Sequence, residues 1–437
     1  MLRLLLIGAV LLAMTLAGPT VHTRLGDVAF IALAVTQGLL VLLATRCAAF
    51  CPARPALAAV LGVALALRLA LLFVPPHLSS DPYRYVWDGR VQGAGINPYR
   101  YMPSAPELSG LRDEAIYPFI NRKDTAVTIY PPAAQMLFFV ATRLHDGLLS
   151  IKLAMIACEI VTAAVLLSLL RRLGQPLTRV LAYAWHPLAV YEIAGSAHID
   201  AAMVAGMMLG LWVALVLRRP VLAAGVLAAA TLFKPLAALA LPAAWKPWDW
   251  RAPAVAIAIA AALYVPYLSV GAGVVGYLPG YVGEENIANG EAFWLVMAAE
   301  WLFGPLAWAK LAYMAGAAVL LGVLALAVSF GRDKGLEARL VRVFWLALAF
   351  TMLLSPKYPW YYLVLTPFVA LLGPAPGWAA TIGCFLLYDE RWDDWPPVDR
   401  DFMRTLFNLI VLSAVGAALW FRRRASAPAR VLEDPAP

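Results

Sequence analysis

Apolar runs recur along the whole chain and are separated by short polar segments. The runs cover 1–18, 27–45, 56–74, 149–170, 180–196, 199–217, 221–244, 253–269, 305–329, 341–354, 358–372, 376–388 and 403–421. Apolar runs of about 18 residues or more are typical of transmembrane helices. The pattern therefore predicts an all-α integral membrane protein with about 12 to 14 transmembrane helices, in which 1–424 form one membrane domain and 425–437 a disordered cytoplasmic tail.

The composition supports this interpretation and excludes several protein classes. Hydrophobic residues make up 63% of the 437 residues and charged residues 14%, whereas soluble domains are about half apolar and a quarter charged. A compact cytosolic enzyme, a disordered chain and a secreted disulfide scaffold are excluded. We interpret the net charge of +8 as a topology signal and expect no nucleic-acid partner. The four cysteines are too scattered for a disulfide framework.

The first run is either a helix that stays in the protein or a cleaved signal peptide. Arg3 precedes the apolar stretch, as in a signal peptide, but the exit at residues 16–19 lacks a clean small-x-small cleavage site. We therefore expect a first transmembrane helix or signal anchor.

The distribution of Lys and Arg predicts the orientation in the membrane. With a cytoplasmic N-terminus, most basic loop residues fall on the inner side, as the positive-inside rule requires. This arrangement holds on two conditions: 131–143 lies along the outer surface as an interfacial helix, and 221–244 turns back at the proline-containing sequence 233–235. The loop 75–130 and the acidic segments around 284–291 and 389–401 then face the periplasm or the cell exterior of a plasma (inner) membrane protein.

The loop 75–130 carries more chemistry than a connector needs, since it holds six acidic and six basic residues and many aromatic ones. Asp81 follows the third apolar run directly and should lie at the membrane boundary. A carboxylate there can take a proton from an attacking hydroxyl. The alternative is structural, because Asp before Pro82 is also a good helix cap.

Several motifs along 75–370 together resemble the multi-spanning GT-C glycosyltransferases that use polyprenol-phosphate sugars. The resemblance is greatest to the bacterial polyprenol-phosphate-mannose-dependent mannosyltransferases, including family 87. The motifs that carry it are the Asp81 segment, Gly95-Ile96-Asn97-Pro98-Tyr99, Thr128-Ile129-Tyr130-Pro131-Pro132, Ser196-Ala197-His198-Ile199-Asp200-Ala201, Phe233-Lys234-Pro235 and Ser355-Pro356-Lys357-Tyr358-Pro359-Trp360-Tyr361. Two extra spans precede the large loop here, where many members of the superfamily have one helix.

The resemblance implies that Asp81 is the catalytic base in a large first outer loop, with Asp88 as the second acidic candidate. No metal is required, although Asp81 and Asp88 together offer ligands for a divalent cation. Lys357, Lys234 and Arg84 are the candidates for stabilising the donor phosphate.

The remaining candidates for substrate binding lie in the other motifs. They are His198, Asp200, Tyr130, Tyr358, Trp360 and Tyr361. Each has a structural alternative: a hairpin turn with a capping Asp explains the first two, and an interfacial aromatic belt explains the rings. Among intramembrane charges, we expect Arg68 to pair with Glu159 or Glu192.

These observations predict an inverting glycosyltransferase that moves a hexose, with mannose the first choice, from a polyprenyl-phosphate donor to a glycolipid or glycan acceptor. A transporter or flippase of a lipid-linked sugar is the alternative, because broken helices and intramembrane charges occur in transporters as well. Against it, no inverted repeat is visible in the sequence.

Overall fold

The computed structural model describes residues 1–285, 287, 292–305, 308–332, 334–388 and 397–426. Within these ranges the chain is helical and contains no strand, as predicted for an all-α membrane protein. Glu291, residues 389–396 of the predicted outer acidic segment and residues 427–437 of the predicted tail lie outside the described residues, while 425 and 426 belong to the last helix.

The α-helices, in chain order, are α1 (Leu2–Leu25), α2 (Asp27–Ala48), α3 (Ala53–Leu72), α4 (Asp81–Gly93), α5 (Pro132–Leu144), α6 (Leu148–Arg172), α7 (Leu181–Ala184), α8 (Pro187–Ala189), α9 (Asp200–Leu215), α10 (Pro220–Thr231), α11 (Leu241–Ala244), α12 (Arg251–Tyr264), α13 (Leu278–Glu284), α14 (Trp294–Phe303), α15 (Ala309–Phe330), α16 (Leu336–Leu354), α17 (Thr366–Leu372), α18 (Ala375–Gly383) and α19 (Pro397–Ser426). Val190–Gly195 forms a π-helix. Short 3₁₀ helices are Pro106–Leu111, Tyr117–Phe119, Leu177–Val180, Pro235–Ala240, Val265–Val275, Pro359–Leu365 and Cys384–Leu387.

The N-terminal apolar run forms a continuous helix that packs with one face against the rest of the protein. Helix α1 contacts α2 and α3, and Gly26 separates α1 from α2 with a φ of 82°. Glycine adopts this left-handed conformation without the steric cost of a Cβ atom. This packing agrees with the expected first helix.

Seven helices of the described chain are long and apolar enough to cross a membrane. One bent pair brings this number to eight, and five further apolar helices are only 10 to 17 residues long. The predicted 12 to 14 spans thus include segments that the structure shows as short or broken helices. Proline explains much of the difference, because it removes a backbone donor and interrupts helical hydrogen bonding.

Two interruptions shape the centre of the molecule. The segments Pro187–Gly195 and Asp200–Leu215 meet at an angle of 119°. Helix α10 ends at Thr231, and the chain resumes as a 3₁₀ helix at Pro235 and packs back against α10. The predicted turn at Phe233-Lys234-Pro235 is therefore present.

The large loop after α3 is held by two short helices. Helix α4 packs against α5, and α5 continues against α6. One face of α5 is buried, including Phe138, whereas Val140 and Leu144 are exposed. The segment Pro132–Leu144 is thus an amphipathic helix, which is the form that a membrane surface accommodates, and the interfacial position of 131–143 stays a prediction.

The intramembrane charges pair in one of the two predicted ways. Arg68 on α3 donates from Nε to Glu159 Oε2 on α6 at 3.0 Å, and both side chains are buried. Glu192 instead belongs to the site described next.

Candidate active site

Four segments that are far apart in sequence meet at one place. These segments are the start of α4, the break between the π-helix and α9, the break after α10 and the loop after α16. The contacts of Asp81 with His198, of Lys234 with Asp200 and of Trp360 with His198 join them. Four of the six sequence motifs that we grouped by resemblance are thus brought together by the fold.

Asp81 is the carboxylate that faces this junction. Its Oδ1 accepts a hydrogen bond of 2.6 Å from Asn121 Nδ2, and its Oδ2 lies 3.8 Å from His198 Nε2. Its side chain is 20% exposed. Helix α4 begins at Asp81 without a side-chain cap, so the capping alternative does not describe this carboxylate. Asn121 orients Asp81 and leaves Oδ2 toward the site.

His198 lies in the break of the bent helix pair and is completely buried. Its Nδ1 is 2.7 Å from Glu192 Oε2, and both side chains are 0% exposed. The backbone N–H of His198 donates to the Glu192 carbonyl at 2.9 Å, which closes the π-helix. Ala197 has a φ of 50°, an uncommon conformation for a residue with a Cβ atom. Such π-helical turns and strained residues are frequent at functional sites.

Asp200 and Lys234 form the second ion pair of the site. Lys234 Nζ lies 2.9 Å from each carboxylate oxygen of Asp200 and 3.8 Å from the centre of the Tyr361 ring. Asp200 thus neutralises the predicted donor-phosphate lysine. Lys234 remains 15% exposed.

The predicted aromatic residues form a stack with little open surface. The Trp360 ring lies between His198, with centroids 4.3 Å apart, and Tyr358, at 4.5 Å. The hydroxyl of Tyr361 is 2.7 Å from that of Tyr281. Both faces of Trp360 are occupied, so its ring supports His198 and does not offer a face to a sugar.

Tyr130 and Tyr85 complete the protein side of the Asp81 region. Their ring centroids are 4.9 Å apart, and the Tyr85 hydroxyl accepts from the Ile199 N–H at 3.5 Å. Burial, followed by the charge of Asp81, raises the pKa of Tyr130 well above its ordinary value. Tyr130 therefore stays protonated, as a hydrogen-bond donor requires.

Asp88 and Arg84 lie in a separate buried network. Asp88 Oδ1 accepts from Arg84 Nε at 2.8 Å, and Oδ2 accepts from Thr128 Oγ1 at 2.5 Å and Gln135 Nε2 at 2.9 Å. The two charged side chains are 2% and 4% exposed. The contacts tie α4 to α5 and to the Thr128 segment, so neither residue is available to substrate in this structure.

Lys357 is the more accessible of the two predicted lysines. Its side chain is 38% exposed, and its Nζ lies 3.8 Å from Glu285 Oε2. It lines a cavity of about 70 Å³ together with Tyr281, Tyr358 and Tyr361. A cation in this position can meet an anionic group that enters this cavity.

Sequence reasoning missed Glu192, Asn121 and Arg122 as parts of the site. From the sequence we expect Glu192 only as one of two alternative partners of Arg68, and we assign no role to Asn121 or Arg122. Arg122 pairs with Glu284 at 2.7 Å, and its charge also acts on Asp81 and Tyr358. The polar stretch at 121–124 was the available signal.

The described residues include no group of three or more His, Cys, Asp or Glu side chains placed to hold a metal ion. The pairing of Asp88 with Arg84 also leaves Asp81 without the second carboxylate that we considered for a divalent cation.

Comparison with known proteins gives one match. A family model described as MptA_B family, "Alpha-(1->6)-mannopyranosyltransferase, N-terminal domain", matches residues 4–249. No curated protein and no solved structure matches the chain. The matched range includes Asp81, Glu192, His198 and Lys234, and it ends before Lys357.

Proposed function

Since the chain belongs to the MptA_B family of alpha-(1→6)-mannopyranosyltransferases, we propose that it transfers mannose from a polyprenyl-phosphate donor to the 6-hydroxyl of a glycolipid or glycan acceptor, with inversion, on the outer face of the membrane. Membership makes the chain a membrane glycosyltransferase with a sugar donor and a glycan acceptor, which sets the transporter alternative aside. The observation that carries the finer proposal is the partly exposed Asp81 carboxylate, oriented by Asn121 at the junction of the four segments.

The reaction is a single displacement at the anomeric carbon. Asp81 takes the proton of the acceptor 6-hydroxyl, the hydroxyl oxygen forms a bond to C1 of mannose, and the bond from C1 to the phosphate oxygen breaks. The polyprenyl phosphate leaves with the electron pair of that bond. A general base of this kind contributes about 10²- to 10⁴-fold in rate. Inversion to an α linkage requires a donor in which the phosphate is β-linked.

The leaving phosphate needs a positive partner. Lys357 is the first candidate because it is 38% exposed at the cavity that it lines with Tyr281 and Tyr358, and because its one ion pair within the described residues, with Glu285, is long at 3.8 Å. Lys234 is the second, since phosphate would have to compete with Asp200. The buried pair with Asp88 makes Arg84 the third. A fixed cation at a developing charge is a strong source of catalysis in a site that excludes water.

The proposed side of the membrane rests on charge. Among the short loops, those that we assign to the cytoplasm carry most of the Lys and Arg residues, and this supports an outer position for 75–130. Two matched substitutions test it, Glu107→Cys in the outer loop and Glu337→Cys on α16, both exposed, in a chain without its native cysteines. A membrane-impermeant thiol reagent should label only Glu107→Cys in intact cells, and the reverse pattern would contradict the proposal.

The function is tested with purified protein and synthetic radiolabelled donors. We expect transfer from polyprenyl-phosphate β-mannose, no transfer from the α anomer or from GDP-mannose, and a new α-(1→6) linkage in the product. Transfer from the α anomer would contradict inversion, and transfer from GDP-mannose would contradict the lipid-linked donor.

A further inference from the structure

The three carboxylates at this junction differ in their burial and in their basic partners. Of the three carboxylates that meet here, Asp200 and Glu192 are buried, and each touches a basic side chain of its own: Lys234 at 2.9 Å and His198 at 2.7 Å. Asp81 alone is partly exposed. Within the described chain, the one ion-pair contact of Asp81 is with His198 Nε2, at 3.8 Å.

A carboxylate as deeply buried as Glu192 requires compensation. An isolated charge in the protein interior is strongly unfavourable, and buried charges are therefore paired or neutralised. Lys234 is already held by two oxygens of Asp200, which leaves the imidazole of His198 as the group that can balance Glu192. A protonated imidazole also donates from both nitrogens, one of them toward Asp81.

The ring of His198 is fixed in the orientation that this role requires. Trp360 stacks on it with a centroid separation of 4.3 Å and an interplanar angle of 29°, and the backbone N–H is bound to Glu192. The groups that face the ring from the packed elements are Asp81 on α4, Glu192 on the π-helix, Asp200 on α9 and Trp360.

We propose that Glu192 and His198 form a buried ion pair that presents a positive imidazolium edge to Asp81 and thereby orients the Asp81 carboxylate and stabilises its negative charge as the base. His198 is thus a positioning residue, and Glu192 acts through it. This inference rests on the proposed function of Asp81. It replaces the expected contact of His198 with substrate, because the ring is fully buried between protein groups.

The test is the pH dependence of transfer from polyprenyl-phosphate β-mannose by purified variants. An opposite charge within about 4–6 Å lowers the pKa of a carboxyl by about 1 to 3 units. Loss of the imidazolium in His198→Gln should therefore move the acidic limit of kcat/KM upward by about one pH unit. Donor KM should stay near the wild-type value, because His198 does not touch the donor.

Substitutions of Glu192 separate charge from packing. Glu192→Gln should shift the acidic limit in the same direction as His198→Gln, and Glu192→Asp, which keeps the charge, should restore it toward wild type. The double variant His198→Gln with Glu192→Gln should be no worse than His198→Gln alone, since both act through one imidazolium. If His198→Gln does not fold, the two variants Glu192→Gln and Glu192→Asp provide the test by themselves.

The chain offers a matched control in His186. This histidine is also 0% exposed and stacks on a tryptophan, Trp378, but its ring nitrogens contact the Thr381 hydroxyl and the Leu188 amide instead of carboxylates. His186→Gln should lower thermal stability without moving the pH profile.

Three outcomes would overturn the inference: a wild-type acidic limit in His198→Gln or, if that variant does not fold, in Glu192→Gln; the same shift in His186→Gln; or additive effects of the two substitutions. Failure of the proposed function is seen separately, as full turnover by Asp81→Asn measured in the same assay.

Discussion

The broken helix pair and α15 show two different uses of an apolar sequence. Pro187–Gly195 and Asp200–Leu215 bend by 119°, whereas α15 runs unbroken for 22 residues and has only 6% of its most apolar window buried. A continuous helix satisfies its own backbone hydrogen bonds and can face lipid, but a break must be enclosed by protein. The enclosed break carries Glu192, His198 and Asp200, so in this molecule buried polar and charged side chains gather where the helices are interrupted.

The largest difference in stability should follow from the buried pair near the breaks. Arg68→Met leaves Glu159 buried without its cation, which typically costs about 3–5 kcal/mol. Leu311→Ala on α15, where the side chain is 75% exposed, should change stability by less than about 0.5 kcal/mol. Thermal unfolding in detergent measures both. Equal thermal unfolding midpoints for Arg68→Met and Leu311→Ala would contradict the expected difference in stability between the two regions.

Two glycines sharpen the comparison at the level of single contacts. A Cβ atom at Gly89 on α4 would lie 2.4 Å from the Phe138 carbonyl oxygen, whereas at Gly316 on α15 it meets nothing within 4 Å. Gly89→Ala should therefore lower the free energy of unfolding by about 1–3 kcal/mol. Gly316→Ala should raise it by up to about 1 kcal/mol, because alanine loses less backbone entropy in a helix. Chemical denaturation measures the free energy of unfolding of both variants. A stabilising effect of Gly89→Ala would contradict the described packing of α4 on α5.

The smallest effect concerns the surface of the large loop. Burial alone would raise the pKa of Asp113, but hydrogen bonds from Arg90 and from the Ile116 and Tyr117 amides outweigh it and lower the pKa. The stabilisation is present above the ordinary aspartate pKa of about 3.9 and is lost as pH falls through the lower folded value. Asp113→Asn should thus destabilise the protein near neutral pH by less than about 1 kcal/mol, with a difference that shrinks in acid. A stability difference between wild type and Asp113→Asn that grows as the pH falls would contradict this prediction.

The sequence predicted those parts of the site that carry a local signal. Asp81 follows an apolar run and precedes Pro82, and Lys234 precedes Pro235, so both stood out as polar groups at interruptions. The pairing of Asp88 with Arg84 is an i, i+4 contact on α4, but burial of the pair by Thr128 and Gln135 depends on tertiary packing. Glu192 was not assigned to the site because it lies inside an apolar run and reaches His198 only through the π-helical turn.

Average hydropathy alone also does not predict the number of full-length transmembrane helices. A run of apolar residues such as 358–372 satisfies the composition of a span, yet the structure divides it into a 3₁₀ helix and α17. Pro359 and Pro367 fix φ and remove backbone donors, which explains a division that average hydropathy does not register.

The most direct test of the central claim is the turnover of Asp81→Asn. Asparagine keeps the size of the side chain and an oxygen for Asn121, but it does not take a proton at neutral pH. Transfer of radiolabelled mannose from polyprenyl-phosphate β-mannose should fall about 10²- to 10⁴-fold, with donor binding and thermal stability nearly unchanged. Asp88→Asn serves as the matched control on the same helix, and its effect should follow from loss of stability. Wild-type turnover by Asp81→Asn would contradict the account.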